Sequence, residues 1–146
     1  MATNCRLVNN TALNLHLKTR TEKGSDWEPG SYEIKSTRVD AHGSATFLRL
    51  NRDEGIRDGK TYVIYTEVKS DGREIVRFSE KLVGLVVNSD IWARAQTPDG
   101  SENSGWVPDG SAGIVFDVDG TSYRASLTWQ KTSWNDDLEY TLSLEK

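Results

Sequence analysis

Cysteine is almost absent from this chain. The one residue, Cys5, has no partner for an internal disulfide, so the fold must hold without cross-links, as suits a reducing compartment or indifference to redox state. Cys5 opens the strand-like run Cys5-Arg6-Leu7-Val8 and reads as a buried structural thiol, not a nucleophile. Histidine is equally scarce. His16 alternates with Leu15 and Leu17 on the polar side of a strand pattern, and His42-Gly43 is a turn combination, so neither a Ser-His-Asp triad nor a zinc enzyme has the material it needs. A basic excess is missing too: 18 Lys+Arg against 22 Asp+Glu leave a net charge of −4 with the signs interspersed, which argues against a nucleic-acid binder and against polybasic attraction to anionic lipid. Nowhere do apolar residues run long enough to span a bilayer, and Met1 to Arg6 show no charged-then-apolar leader. The expectation is a soluble protein, cytoplasmic or secreted without a signal peptide. Asp residues beside Gly lack the EF-hand spacing and its terminal Glu, so no metal and no cofactor is expected.

Helix signals are also nearly missing, and what replaces them is alternation broken by Gly, Asp, Asn and Ser. The 146 residues carry no repeat, linker or low-complexity tract, so residues 1–146 are read as a single domain, large enough to bury roughly two-thirds of its unfolded surface. The strongest element is a hairpin from Lys60 to Ser79. Tyr62, Ile64, Thr66 and Val68 take one face, Val63 and Tyr65 the other; Asp71-Gly72 supplies the positive φ of a tight turn; and Arg73 to Ser79 returns with Ile75, Val76 and Phe78. Leu13, Leu15 and Leu17 alternate, as do residues from Tyr32 to Val39, and Ser44 to Leu50 reads as a further strand. Leu82 to Val87 is an apolar run too short to name as a helix, and Ile91 to Ala95 reads as a strand. Ile114, Phe116 and Val118 lead to Asp119-Gly120; Tyr123, Ala125 and Leu127 lead away; Tyr140, Leu142 and Leu144 follow a turn at Asn135-Asp136-Asp137. About eight to ten short strands predict an all-β, single-domain antiparallel β-sandwich.

One catalytic pattern needs an answer. Gly113 to Thr121 contains the Asp-x-Asp-Gly-Thr form, at Asp117 and Asp119, of the first motif of haloacid-dehalogenase-type phosphatases. That chemistry needs a parallel sheet with a lysine and further acids from later βα units, and the remaining 25 residues read as strands. A hairpin with an Asp-Gly turn is the expectation, and no catalytic residue is assigned. Tryptophan, by contrast, is plentiful at five. Trp129 shares a face with Leu127 and reads as core. Trp27, Trp106 and Trp134 lie in or beside polar loops, and Trp92 follows one. Such rings suit lipid interfaces and sugar stacking alike, or fold back to plug an end of the sandwich.

From His42 to about Trp92 the chain resembles the actinoporin-like cytolysin group of β-sandwich pore formers: His42-Gly43 before an apolar strand, the Asn51-Arg52-Asp53 turn, Val63-Ile64-Tyr65, Ser70-Asp71-Gly72, an aliphatic pair and Phe78-Ser79 come in the group's order. The small acidic size and Trp content are more distantly similar to aegerolysins. The resemblance implies a lipid-headgroup site built from a serine, matched by Ser79, and loop aromatics, one matched by Trp92. The chain departs from the group at Lys81, where the group has proline, and at Leu85-Val86-Val87-Asn88-Ser89-Asp90, where it has a tyrosine-rich loop. A first strand starting by about Cys5 leaves no segment for the group's N-terminal pore-forming helix, so autonomous pore formation is not expected. The expected function is non-enzymatic recognition of membrane lipid headgroups, with Ser79 as hydrogen-bonding group and Trp92, Trp106, Trp27 or Trp134 as interfacial rings. A lectin of the same architecture is the alternative. A homo-oligomer or a partner protein is left open as a further partner, one with which such a module could permeabilise membranes.

Overall fold

Alternating runs become strands, and Asp-Gly pairs become turns, in a computed structural model that describes residues 2–25, 27, 31–52, 56–85, 89–131 and 135–145. The described residues form eleven strands: β1 (Ala2–Asn10), β2 (Leu15–Thr21), β3 (Tyr32–Ile34), β4 (Arg38–Val39), β5 (Ser44–Asn51), β6 (Thr61–Ser70), β7 (Arg73–Gly84), β8 (Ser89–Gln96), β9 (Ser111–Val118), β10 (Thr121–Lys131) and β11 (Asn135–Leu144). They make two sheets, ordered β3-β5-β1-β11-β10-β9 and β4-β2-β6-β7-β8. Among the described strands all pairs are antiparallel except one. β1 runs parallel to β11, Cys5 opposite Leu138, so the sandwich is not wholly antiparallel, and with two strands of three residues or fewer it has more strands than alternation predicts.

The two tightest hairpins follow directly from residue type. Asp71 and Gly72 (φ 52° and 77°) join β6 to β7, and Asp119 and Gly120 (φ 51° and 81°) join β9 to β10; both central residues need positive φ, which Asp tolerates and Gly adopts freely. The would-be phosphatase motif is thus the β9–β10 hairpin, in which Asp117 accepts a hydrogen bond from the Ser122 hydroxyl and Asp119 pairs with Arg73 at 2.8 Å. β6, apolar on both faces, lies at the centre of its sheet. Between the sheets, Tyr62, Phe47, Phe78 and Tyr140 are fully buried, Phe78 stacking on Tyr140 with ring centroids 4.1 Å apart.

One expectation needs correction. Asn135 to Asp137 is strand, not turn: parallel pairing with β1 extends β11 to Asn135, and Asp136 is buried in an ion pair with Arg52. Arg52, which the sequence places in the Asn51-Arg52-Asp53 turn, is only 8% exposed, because it pairs with Asp136 and also donates to the Ser89 carbonyl, tying the ends of β5, β8 and β11 together.

Candidate functional site

β7 and β8 carry the site on the outer face of the five-stranded sheet. Because side chains alternate, Val76, Phe78, Glu80 and Leu82 point to the core while Arg77, Ser79, Lys81 and Val83 point out. β8 pairs antiparallel with β7, setting Trp92 opposite Lys81 and Arg94 opposite Ser79, and β6 sets Tyr65 opposite Ser79 on the other side. The polar stretch after β8 doubles back along it. Ala93 and Val107 exchange backbone hydrogen bonds of 3.0 and 2.8 Å, and Ser104 donates to the Ala95 carbonyl at 3.0 Å, which brings Trp106 alongside Arg94. Thr97 and Asp99 hold the loop's tip: Asp99 accepts from the Thr97 hydroxyl (2.8 Å) and the Ser101 amide (3.0 Å). Those hydrogen bonds, the Ser101 amide foremost, depress the Asp99 carboxyl to about 2.

Cations lie over the rings. Lys81 Nζ is 5.2 Å from the centroid of Trp92 and 4.9 Å from that of Trp106, and the Arg94 guanidinium is 4.2 Å from Trp106. These separations are within cation–π range. Among the described residues neither Lys81 nor Arg94 has a carboxylate at ion-pair distance, whereas neighbouring Arg77, itself 4.6 Å from the Tyr65 ring, is chelated by Glu74 at 2.9 Å through both Nε and Nη2. Partial burial lowers the Arg94 pKa; Glu22 opposes that and Arg77 adds to it. Arg94 Nε is buried without a hydrogen-bond partner. The face therefore holds two positive charges steadied by aromatic rings, with Glu22 acting on Arg94 only from beyond ion-pair distance and, among the described residues, no carboxylate paired with either.

The expected site residues separate. Ser79, Trp92 and Trp106 converge on this face, but Ser79 is only 1% exposed and lies mid-strand between Tyr65 and Arg94, so a ligand meets those side chains first. Trp27 packs on the core, edge-on to Tyr32 and Tyr62 at 5.4 and 5.3 Å, and its Nε1 donates to the Val63 carbonyl at 2.7 Å. Trp134 lies outside the described residues. Trp129 is buried at 6% exposure, donating to the Val107 carbonyl at 2.9 Å. Sequence reasoning missed Arg94 and noted Lys81 only as a departure. Their parity with Ser79 and Trp92 was readable, but not the register that joins the strands.

Another polar group sits on the reverse of this strand. Glu80 is fully buried, and the Tyr140 hydroxyl of the opposite sheet bonds to it. Burial lifts its carboxyl to about 8, the Tyr140 bond partly offsetting that rise, and burial lifts the Cys5 thiol well above its ordinary value, with Glu80 adding to it. Such a group is a proton store in the core, out of reach of a ligand on the outer face. Among the described residues no cluster of His, Cys, Asp and Glu suits a metal ion. No family model matches this chain, and no curated protein matches its sequence.

Proposed function

We propose that the chain is a non-enzymatic binding module that recognises phosphate-bearing headgroups of membrane lipids through the outer face of β7 and β8. One observation carries this reading: Lys81 and Arg94 stand over Trp92 and Trp106 on a half-exposed sheet face, and among the described residues neither has a carboxylate at ion-pair distance. A phosphate fits between an ammonium, which acts as a compact point charge, and a guanidinium, whose planar fork matches its oxygens. The indoles have apolar bodies and one N–H each, which suits the headgroup level of a bilayer. The resemblance of the central hairpin to the actinoporin-like cytolysin group points the same way. Sugar stacking on these rings is the weaker alternative, because cations already cover ring faces that a sugar would need.

With a net charge of −4, affinity comes from the local pair and not from long-range attraction. Co-sedimentation with liposomes of defined headgroup, read together with Trp emission, tests the proposal. Binding with a blue shift is expected on vesicles carrying phosphate-bearing headgroups, weakened at least about tenfold in Lys81→Glu and in Arg94→Gln. Absence of binding and of any shift on every composition refutes it.

A further inference from the structure

The opposite sheet has a polar groove of its own. On its outer face, three neighbouring strands align two rows of side chains: Asn4, Asp137 and Gln130 in one, and Arg6, Glu139 and Thr128 in the next, with Thr46 of β5 across from Arg6. These residues line a groove of about 440 Å³. A polar sheet face is ordinarily smooth, and the register offers a cause for the hollow. Between Cys5 and Arg6 the pairing with β5 slips from Leu48 to Thr46, leaving Phe47 as an extra residue, and Phe47 and Leu48 are both buried in succession. Such a bulge bends its strand, increases the local twist and re-aims the side chains beside it.

The chemistry of the rows is specific. Both carboxylates stand on the middle strand, flanked by amides, hydroxyls and a guanidinium, and among the described residues neither makes an ion pair or hydrogen bond within the protein. Arg6 is steadied by donating from Nη2 to the Ser44 hydroxyl at 2.6 Å. The groove thus offers acceptors at its centre and donors on both sides. An anion would meet two carboxylates against one guanidinium, and a large apolar ligand would find no aromatic surface. A ring bearing adjacent hydroxyls satisfies the pattern, because each hydroxyl donates one hydrogen bond, here to Asp137 or Glu139, and accepts from Asn4, Gln130 or Arg6.

We propose that this groove binds a polyhydroxylated ligand, a neutral mono- or oligosaccharide gripped along its hydroxyl edge. It is separate from the Lys81–Arg94 face, so either site can stand without the other. Affinity for one hexose is on the order of millimolar, given the few heavy atoms engaged. Amide chemical shifts of the labelled protein, titrated with neutral hexoses, N-acetylhexosamines and their short oligomers, test it. Saturable shifts centred on β1, β10 and β11 are expected. The double variant Asp137→Asn, Glu139→Gln, with its fold verified by unchanged circular dichroism, should weaken binding about tenfold or more, and Lys81→Glu should leave it unchanged. The proposal is overturned if no saccharide produces saturable shifts, if the double variant binds equally well, or if the same amides shift with Ca²⁺ alone and with saccharide only in its presence.

Discussion

Glu80 should make this protein more stable at pH 5 than at pH 8. Its side chain is at 0% exposure between the sheets, beside the buried Cys5 thiol and hydrogen-bonded to Tyr140, and one of its oxygens, Oε1, has no partner. In the unfolded chain the carboxyl titrates near 4.5; in the folded protein burial holds its proton to about 8. Between those values the native state keeps a proton that the unfolded state has lost. Stability is therefore full below about 4.5, falls as pH rises, and levels off above about 8. One proton corresponds to about 1.4 kcal/mol per pH unit, so the window amounts to something on the order of 5 kcal/mol. That is a large share of the roughly 5–15 kcal/mol that stabilises a typical domain. Glu80→Gln keeps an acceptor for Tyr140 and cannot ionise. Urea unfolding followed by Trp fluorescence at pH 5, 6, 7 and 8 should give a wild-type stability that declines relative to the variant at each step, since other titrating groups are common to both. Parallel pH profiles for the two proteins would refute the assignment of a protonated, buried Glu80.

Two further changes test the packing. Gly84→Ala should cost about 1–3 kcal/mol, because a Cβ there would stand 1.9 Å from the Arg57 carbonyl oxygen, and the strand end must shift to admit it; chemical denaturation measures the loss. Asp136→Asn strands the buried Arg52 charge, and a loss of about 3–5 kcal/mol is expected, read as a drop in urea midpoint at constant slope.

How legible each feature was depended on the range of the interaction behind it. The hairpins at Asp71-Gly72 and Asp119-Gly120 were readable because a positive φ is a property of one or two residues. The inward set Val76, Phe78, Glu80 and Leu82 was readable by parity alone, and so was the oddity of a Glu within it. Parity failed at the bulges. Consecutive buried pairs at Phe47-Leu48 and Ile75-Val76 mark shifts in register that alternation does not reveal. Asn135 to Asp137 looked like a turn by composition, and pairing with β1 overrode that preference. The Trp92–Trp106 pair was half legible: both were singled out as aromatics near loops, but only the return of the 97–110 segment along β8 brings them to the same lysine.

By itself the sequence determined the class of the protein. Period-two alternation, Asp-Gly turns and the scarcity of helix signals leave an all-β fold as the way to bury Leu, Val, Phe and Tyr. Tertiary structure decided which strands are neighbours. The parallel β1–β11 pair, the Glu80–Tyr140 bond across the sheets, the cations over Trp92 and Trp106, and the rows around Asp137 and Glu139 all join residues far apart along the chain. Local pattern sets the face a side chain occupies. Strand order and register, selected by burial of the whole core, set what it meets there.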